Sequence, residues 1–103
     1  MKIIKEIEEL IADEIHDIKK YAELASKVKD EYPALAQVFY NISTQEDSHQ
    51  AMLHAEVVKI IENYRKVNGD PPAAMMAVYE YVHKKHIENI AEARRYQDIY
   101  RNA

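Results

Sequence analysis

The residues that break helices are confined to two short stretches of this chain. Its one glycine and three prolines fall in Lys29-Asp30-Glu31-Tyr32-Pro33 and in Asn68-Gly69-Asp70-Pro71-Pro72. Elsewhere the sequence is free of the two residues whose cost inside a helix is greatest, about 1 and about 3 kcal/mol relative to alanine. Within the three uninterrupted segments, apolar residues recur at three- and four-residue steps, the period that lays them on one helical face. The first segment, about 3–28, carries Ile4, Ile7, Ile11, Ile18, Tyr21, Ala25 and Val28 on that stripe. The second, about 33–67, reads Leu35, Val38, Phe39, Ile42, Glu46, His49, Leu53, Val57, Ile60 and Tyr64. The third, about 72–101, reads Met75, Tyr79, Val82, His86, Ile90, Ala93, Tyr96 and Tyr100. An acidic cap ahead of Pro33, the stop at Gly69, and Asp70 ahead of two prolines are the expected helix boundaries. The predicted fold is all-α: one domain over residues 1–103, an antiparallel helical hairpin followed by a third helix.

Composition removes several classes of function. Fourteen basic against 18 acidic residues give a net charge of -4, and the signs are interleaved, so no basic stripe is present to follow a nucleic acid backbone. No apolar run reaches the roughly 18 to 20 residues of a membrane span, and the start MKIIKEIEELIADE carries acids where a signal peptide stays apolar. A cytoplasmic protein with neither nucleic acid nor membrane as partner is the expectation. Because the sequence has no cysteine, disulfides, iron–sulfur ligation and thiolate zinc sites are excluded together, and any metal must be held by His and carboxylate. Helices of this length form rods of roughly 40 to 50 Å. A thin rod leaves much apolar surface uncovered, which predicts a homodimer or a higher homo-oligomer.

Three polar residues interrupt the apolar stripes. Glu14 stands between Ile11 and Ile18 on the first helix, and Glu46 and His49 stand on the stripe of the second. In an antiparallel pair turning near residue 30, Glu14 and Glu46 each lie about 24 Å along the axis from the turn, hence at the same height. Glu46 and His49, three residues apart, project from one face. Buried carboxylates brought together repel and lose hydration, so something must neutralise them. No Lys or Arg occupies either central stripe near that level, which leaves a cation. Oxygen with imidazole and no sulfur suits iron or manganese, with zinc admissible and magnesium less so. Pairing two hairpins would double the set, giving the inventory of the di-iron carboxylate bundles, where two helices each give a Glu and two give Glu-x-x-His.

The runs ADEIHDIKKYAELASKVK and ALAQVFYNISTQEDSHQAML carry a family resemblance over about residues 5–65. Glu14 is followed seven residues on by Tyr21, Ala25-Ser26-Lys27 comes next, Phe39 stands seven before Glu46, and Glu46-Asp47-Ser48-His49 completes the pattern. This pattern resembles the first half of rubrerythrin and the short encapsulated ferritins of the ferritin-like superfamily. The resemblance implies Glu14, Glu46 and His49 as catalytic residues and metal ligands, with Tyr21 beside them. It implies a dinuclear iron cofactor and a ferroxidase, oxidising Fe(II) to Fe(III) for iron storage or detoxification. The alternative on the same site is a rubrerythrin-like peroxide reductase. Rubrerythrin draws its second Glu and second Glu-x-x-His from later helices after a long crossover, whereas here a tight NGDPP turn leads to one more helix. Its cysteine-ligated iron domain has no counterpart in a cysteine-free sequence. The short encapsulated ferritins, which build the centre between two subunits, are therefore the nearer likeness. They imply a homodimer, a ferritin-like four-helix bundle and an encapsulating shell protein as a further partner, although RYQDIYRNA shows no cargo-targeting tail.

Other residues receive plainer expectations. Glu80-Tyr81-Val82-His83 spells the same motif, but counted from Gly69 it falls about 18 Å from Glu46 along the bundle, which predicts a mostly solvated face. His54, His83 and His86 should lie near one another on the second and third helices, a weaker second metal site being the minor reading. Glu88 and Glu92 fall near the height of His49 and Glu46 and are expected as salt-bridged surface residues ahead of auxiliary ligands. Tyr21 is expected to pack as an aromatic with its hydroxyl bonded to a carboxylate, and Met52, Met75 and Met76 to fill core or interface. A non-enzymatic helical assembly or adaptor module, its polar core residues fixing pairing register, is the competing class.

Overall fold

The computed structural model describes residues 1–102. It contains three helices, α1 (Lys2–Val28), α2 (Pro33–Asn68) and α3 (Ala73–Asn102), and no strand among the described residues, so the class is all-α as expected. No helix is long and apolar enough to cross a membrane among the described residues.

Both turns close through backbone rather than through the expected acidic caps. At the first, the Tyr32 amide donates to the Val28 carbonyl at 2.7 Å and the Ala36 amide to the Tyr32 carbonyl at 2.9 Å. Tyr32 is the residue that caps α2, with no side-chain bond. Pro33 begins the helix where a missing amide costs nothing. At the second turn Gly69 takes φ +79°, and its amide donates to the Arg65 carbonyl at 3.0 Å. This φ disfavours any residue with a Cβ, which explains the single glycine. Asp70 does not start α3; it lies 3.8 Å from Arg65 Nε, and the first α3 bond runs from the Met76 amide to the Pro72 carbonyl at 3.1 Å.

The hairpin is antiparallel, as Ser43 against Ile18 and Phe39 against Tyr21 record. α3 runs antiparallel to α2, with Tyr100 against Tyr40, Gln97 against Ser43 and His83 against His54. It packs more extensively on α1 than on α2. The result is a rod of 56 × 19 × 18 Å. Its core joins Ile4, Ile11, Ile15 and Ile18 of α1 to Val57 and Ile61 of α2 and Ala93 of α3. Ala22, Ala25 and Ala36 are fully buried, and small side chains there let the backbones approach closely.

The stripes of α1 and α3 face inward as their spacing predicts. α2 is rotated from expectation. Its buried residues are Ala36, Ser43, Gln50, Val57 and Ile61, whereas Leu35 and Val38 are 43% and 51% exposed. Val57 of the stripe is buried and Leu53 and Ile60 pack against the core, but the stripe as a whole is turned toward the edge, so that Leu35 and Val38 at its start are left open.

Candidate metal centre

Glu14 leaves α1 one turn from Ile11 and Ile18 of the core, toward the side of the hairpin that α3 does not cover. Across from it, α2 presents Glu46 and His49. The register is fixed on one flank by Ser43 Oγ, which donates to the Ile18 carbonyl at 2.6 Å. Beyond it the Tyr21 and Phe39 rings pack with centroids 6.0 Å apart. His49 Nδ1 then lies 3.5 Å from Glu14 Oε2 and 3.8 Å from Glu46 Oε2. One donor atom from each of the three falls within 4.8 Å of the others, the only such group of three or more His, Cys, Asp or Glu among the described residues.

The three are placed at the edge of the hairpin rather than in its centre. Their side chains are 25% (Glu14), 19% (Glu46) and 51% (His49) exposed, because the rotation of α2 gives its core positions to Ser43 and Gln50. A hollow of about 550 Å³ lies beside them, lined by Glu14, His49, Met52, Leu53, Ala55 and Glu56. Glu14 Oε2 is shielded from solvent and has no hydrogen-bond partner, alone among buried side-chain nitrogen and oxygen atoms of the described residues. Among the described residues neither carboxylate has a Lys or Arg at ion-pair distance; their ion-pair partner is His49. An unsatisfied carboxylate oxygen beside a second carboxylate and an imidazole is a donor set that fits a divalent iron, manganese or zinc ion.

Tyr21 packs as expected, but its hydroxyl makes no hydrogen bond among the described residues; the expected bond to a carboxylate is not formed. Glu80 is exposed and joins no cluster. His54 and His83 do meet, stacked with centroids 4.4 Å apart and planes 5° from parallel, and Tyr79 continues the stack at 6.0 Å. Glu8 and His86 share the small void beside them, about 10 Å³, yet the donors do not gather as those of Glu14, Glu46 and His49 do. Burial, and then His83, pushes the His54 and His86 imidazoles below their ordinary value. Glu88 pairs with Lys85 at 3.5 Å and Glu92 with Lys19 at 3.1 Å, both on the surface.

The sequence reading missed a polar network behind the site. Arg94 of α3 grips Asp47 with a two-pronged pair, Nε to Oδ2 at 2.8 Å and Nη2 to Oδ1 at 2.9 Å. These hydrogen bonds hold the Asp47 carboxyl below its usual range against the opposing effect of burial. Gln50 Nε2 adds a bond to Asp47 Oδ1 at 3.0 Å, and Gln97 Nε2 donates to Ser43 Oγ at 3.0 Å. The available signal was the seven-residue spacing of Ala36, Ser43, Gln50 and Val57, a narrow stripe of small and polar residues beside the larger apolar one.

No curated protein and no solved structure matches this chain. The rubrerythrin family model matches residues 6–103, reaching across all three helices and over every residue of the candidate centre. Iron is the metal this family implies, and a Glu14, Glu46 and His49 group suited to it stands in the structure. With 6–103 matched, the chain belongs to the rubrerythrin family, within the ferritin-like superfamily.

Proposed function

We propose that this protein is a ferroxidase that takes Fe(II) as substrate and releases Fe(III), at a dinuclear site completed by two copies of the chain. The observation that carries the reading is the shielded Glu14 Oε2, which makes no hydrogen bond and has only the His49 imidazole at ion-pair distance, with Glu46 beside it. A carboxylate left so is costly unless a cation takes it. Glu14 and Glu46 supply anionic oxygens and His49 a neutral nitrogen, and hard anionic donors stabilise Fe(III) more than Fe(II), which favours loss of an electron. A pair of irons gives up two electrons together, the number that converts oxygen to peroxide or peroxide to water. His49 Nδ1 lies 3.5 and 3.8 Å from the two carboxylates, which places an imidazole nitrogen beside the oxygens it would join in holding the ions.

Support for the second copy comes from the surface around the site. Ile3, Leu10, Leu35, Val38 and Met52 are all exposed, and their helical spacing sets them on the side that carries Glu14 and His49. An identical hairpin laid on this side would cover them, double the donors and close a four-helix bundle.

The test is anaerobic loading with Fe(II) followed by rapid mixing with oxygen or with peroxide. Glu14→Ala and His49→Ala should each slow oxidation by at least about tenfold while circular dichroism shows the helices intact. Oxidation at the parental rate in either variant overturns the site. Turnover with peroxide far faster than with oxygen would make the same centre a peroxide reductase instead.

A further inference from the structure

α3 contributes no donor to the metal centre, yet it grips α2 at the height of the donors. Asp47 is the neighbour of Glu46 and stands two residues before His49. Arg94 holds both its oxygens, at 2.8 and 2.9 Å. One turn back along α2, Gln97 bonds Ser43 at 3.0 Å and Ser43 bonds the Ile18 carbonyl at 2.6 Å. Ser43, Gln50 and Gln97 are buried. A continuous line of hydrogen bonds thus runs from α3 through α2 to the backbone of α1.

Packing alone does not define the rotation of α2 here. Its buried positions at this level are Ala36, Ser43 and Gln50, none of them a large apolar residue. Rotation is nevertheless what the centre must control. A donor lies about 6 Å from its helix axis, so a turn of about 10° displaces it by about 1 Å, several times the roughly 0.2 Å that metal–ligand distances tolerate. A guanidinium fork on a carboxylate sets direction as well as distance, which a lysine cannot do.

Resting on the metal-site reading above, we propose that Asp47 and Arg94 are positioning residues of the metal centre. The fork holds α2 at the rotation that aims Glu46 and His49 at Glu14, and this is the part α3 plays in the chemistry. The Lys19–Glu92 pair, also between α3 and the hairpin at 3.1 Å, is a single-point contact away from the motif and provides the control.

Co(II), which air does not oxidise in this setting, serves as probe of the metal-free protein, with calorimetry for affinity and visible absorption for coordination geometry. Arg94→Met and Arg94→Lys should each weaken Co(II) binding about tenfold to a hundredfold and alter the absorption bands, while Lys19→Met leaves both unchanged. Asp47→Asn, which keeps shape and one accepting oxygen, should fall between and serves if the Arg94 variants lose helical content. Parental affinity and spectrum in Arg94→Met overturn the proposal and leave the metal site standing. Parental behaviour in Arg94→Lys also overturns it, because charge alone would then suffice. If the parent binds neither Co(II) nor Fe(II), the metal-site reading falls and the proposal with it.

Discussion

His54, His83 and His86 show how burial at single residues becomes a property of the whole chain. Burial holds His54 and His86 below their ordinary value of 6.5, and His83 beside them acts in the same direction. An unfolded chain takes up these protons near pH 6.5, and the folded chain takes them up only at lower pH. Between those values the unfolded state binds more protons, so acidification lowers stability; the contribution is whole above 6.5 and lost below the folded values. Glu8 lines the same void and works oppositely. Burial raises its carboxyl above 4.5, so its protonation favours the fold as the pH falls and offsets part of the loss. Tyr79, raised above 10.0 by burial, does not titrate in this window. Urea unfolding in chelator should therefore show a lower midpoint at about pH 5.5 than at about pH 7.5. Replacing His54 by Phe together with His86 by Leu should flatten that difference, and an unchanged difference would remove the cluster as its cause. At this scale the sequence was legible wherever spacing along one helix decides position. The meeting of Glu14 with Glu46 and His49 follows from the fixed rise per residue and one turn. The Asp47–Arg94 fork does not, because it depends on how α3 slides and rotates against α2, which no local spacing records.

Among the elements, α2 is where sequence pattern and packing part company. Breakers gather at the two turns, and the α1 and α3 stripes pack where their periodicity places them. On α2 two faces compete. At its start the bulky residues Leu35 and Val38 stay exposed while Ala36, fully buried, faces the interior. Hydrophobic periodicity weights large side chains and so finds the face that could bury most area, whereas close approach of helices selects small residues. This assigns a distinct sensitivity to adjacent positions. Ala36→Leu should destabilise the chain by about 1–3 kcal/mol through overpacking, read from the urea midpoint at constant slope. An unchanged midpoint would mean that the inward face of α2 at this level has room to spare, contrary to the packing described.

At the scale of the molecule, the rod is larger in surface than a compact chain of its mass. A 12.0 kDa monomer is expected to expose roughly 6000 Å², and this one exposes 6828 Å². Its radius of gyration is 16.6 Å, against about 13 Å for a compact chain of this length. The excess of about 800 Å² is close to what each partner gives to a standard protein interface. It includes the apolar residues that flank Glu14 and His49, so covering the surface and completing the site are the same event in the dimer proposed above. Metal binding and association should then be linked: an ion that binds only the paired state favours pairing in proportion to its occupancy. Sedimentation equilibrium at micromolar concentrations should show a dimer that Fe(II), added without oxygen, tightens by at least about tenfold. Val38→Glu, a charge on the open face away from the donors, should give a monomer that retains its helices and binds iron more weakly than the parent. A parent that stays monomeric with iron bound, or a Val38→Glu chain as dimeric as the parent, would rule out pairing through this face and leave Glu14, Glu46 and His49 as a site within a single chain.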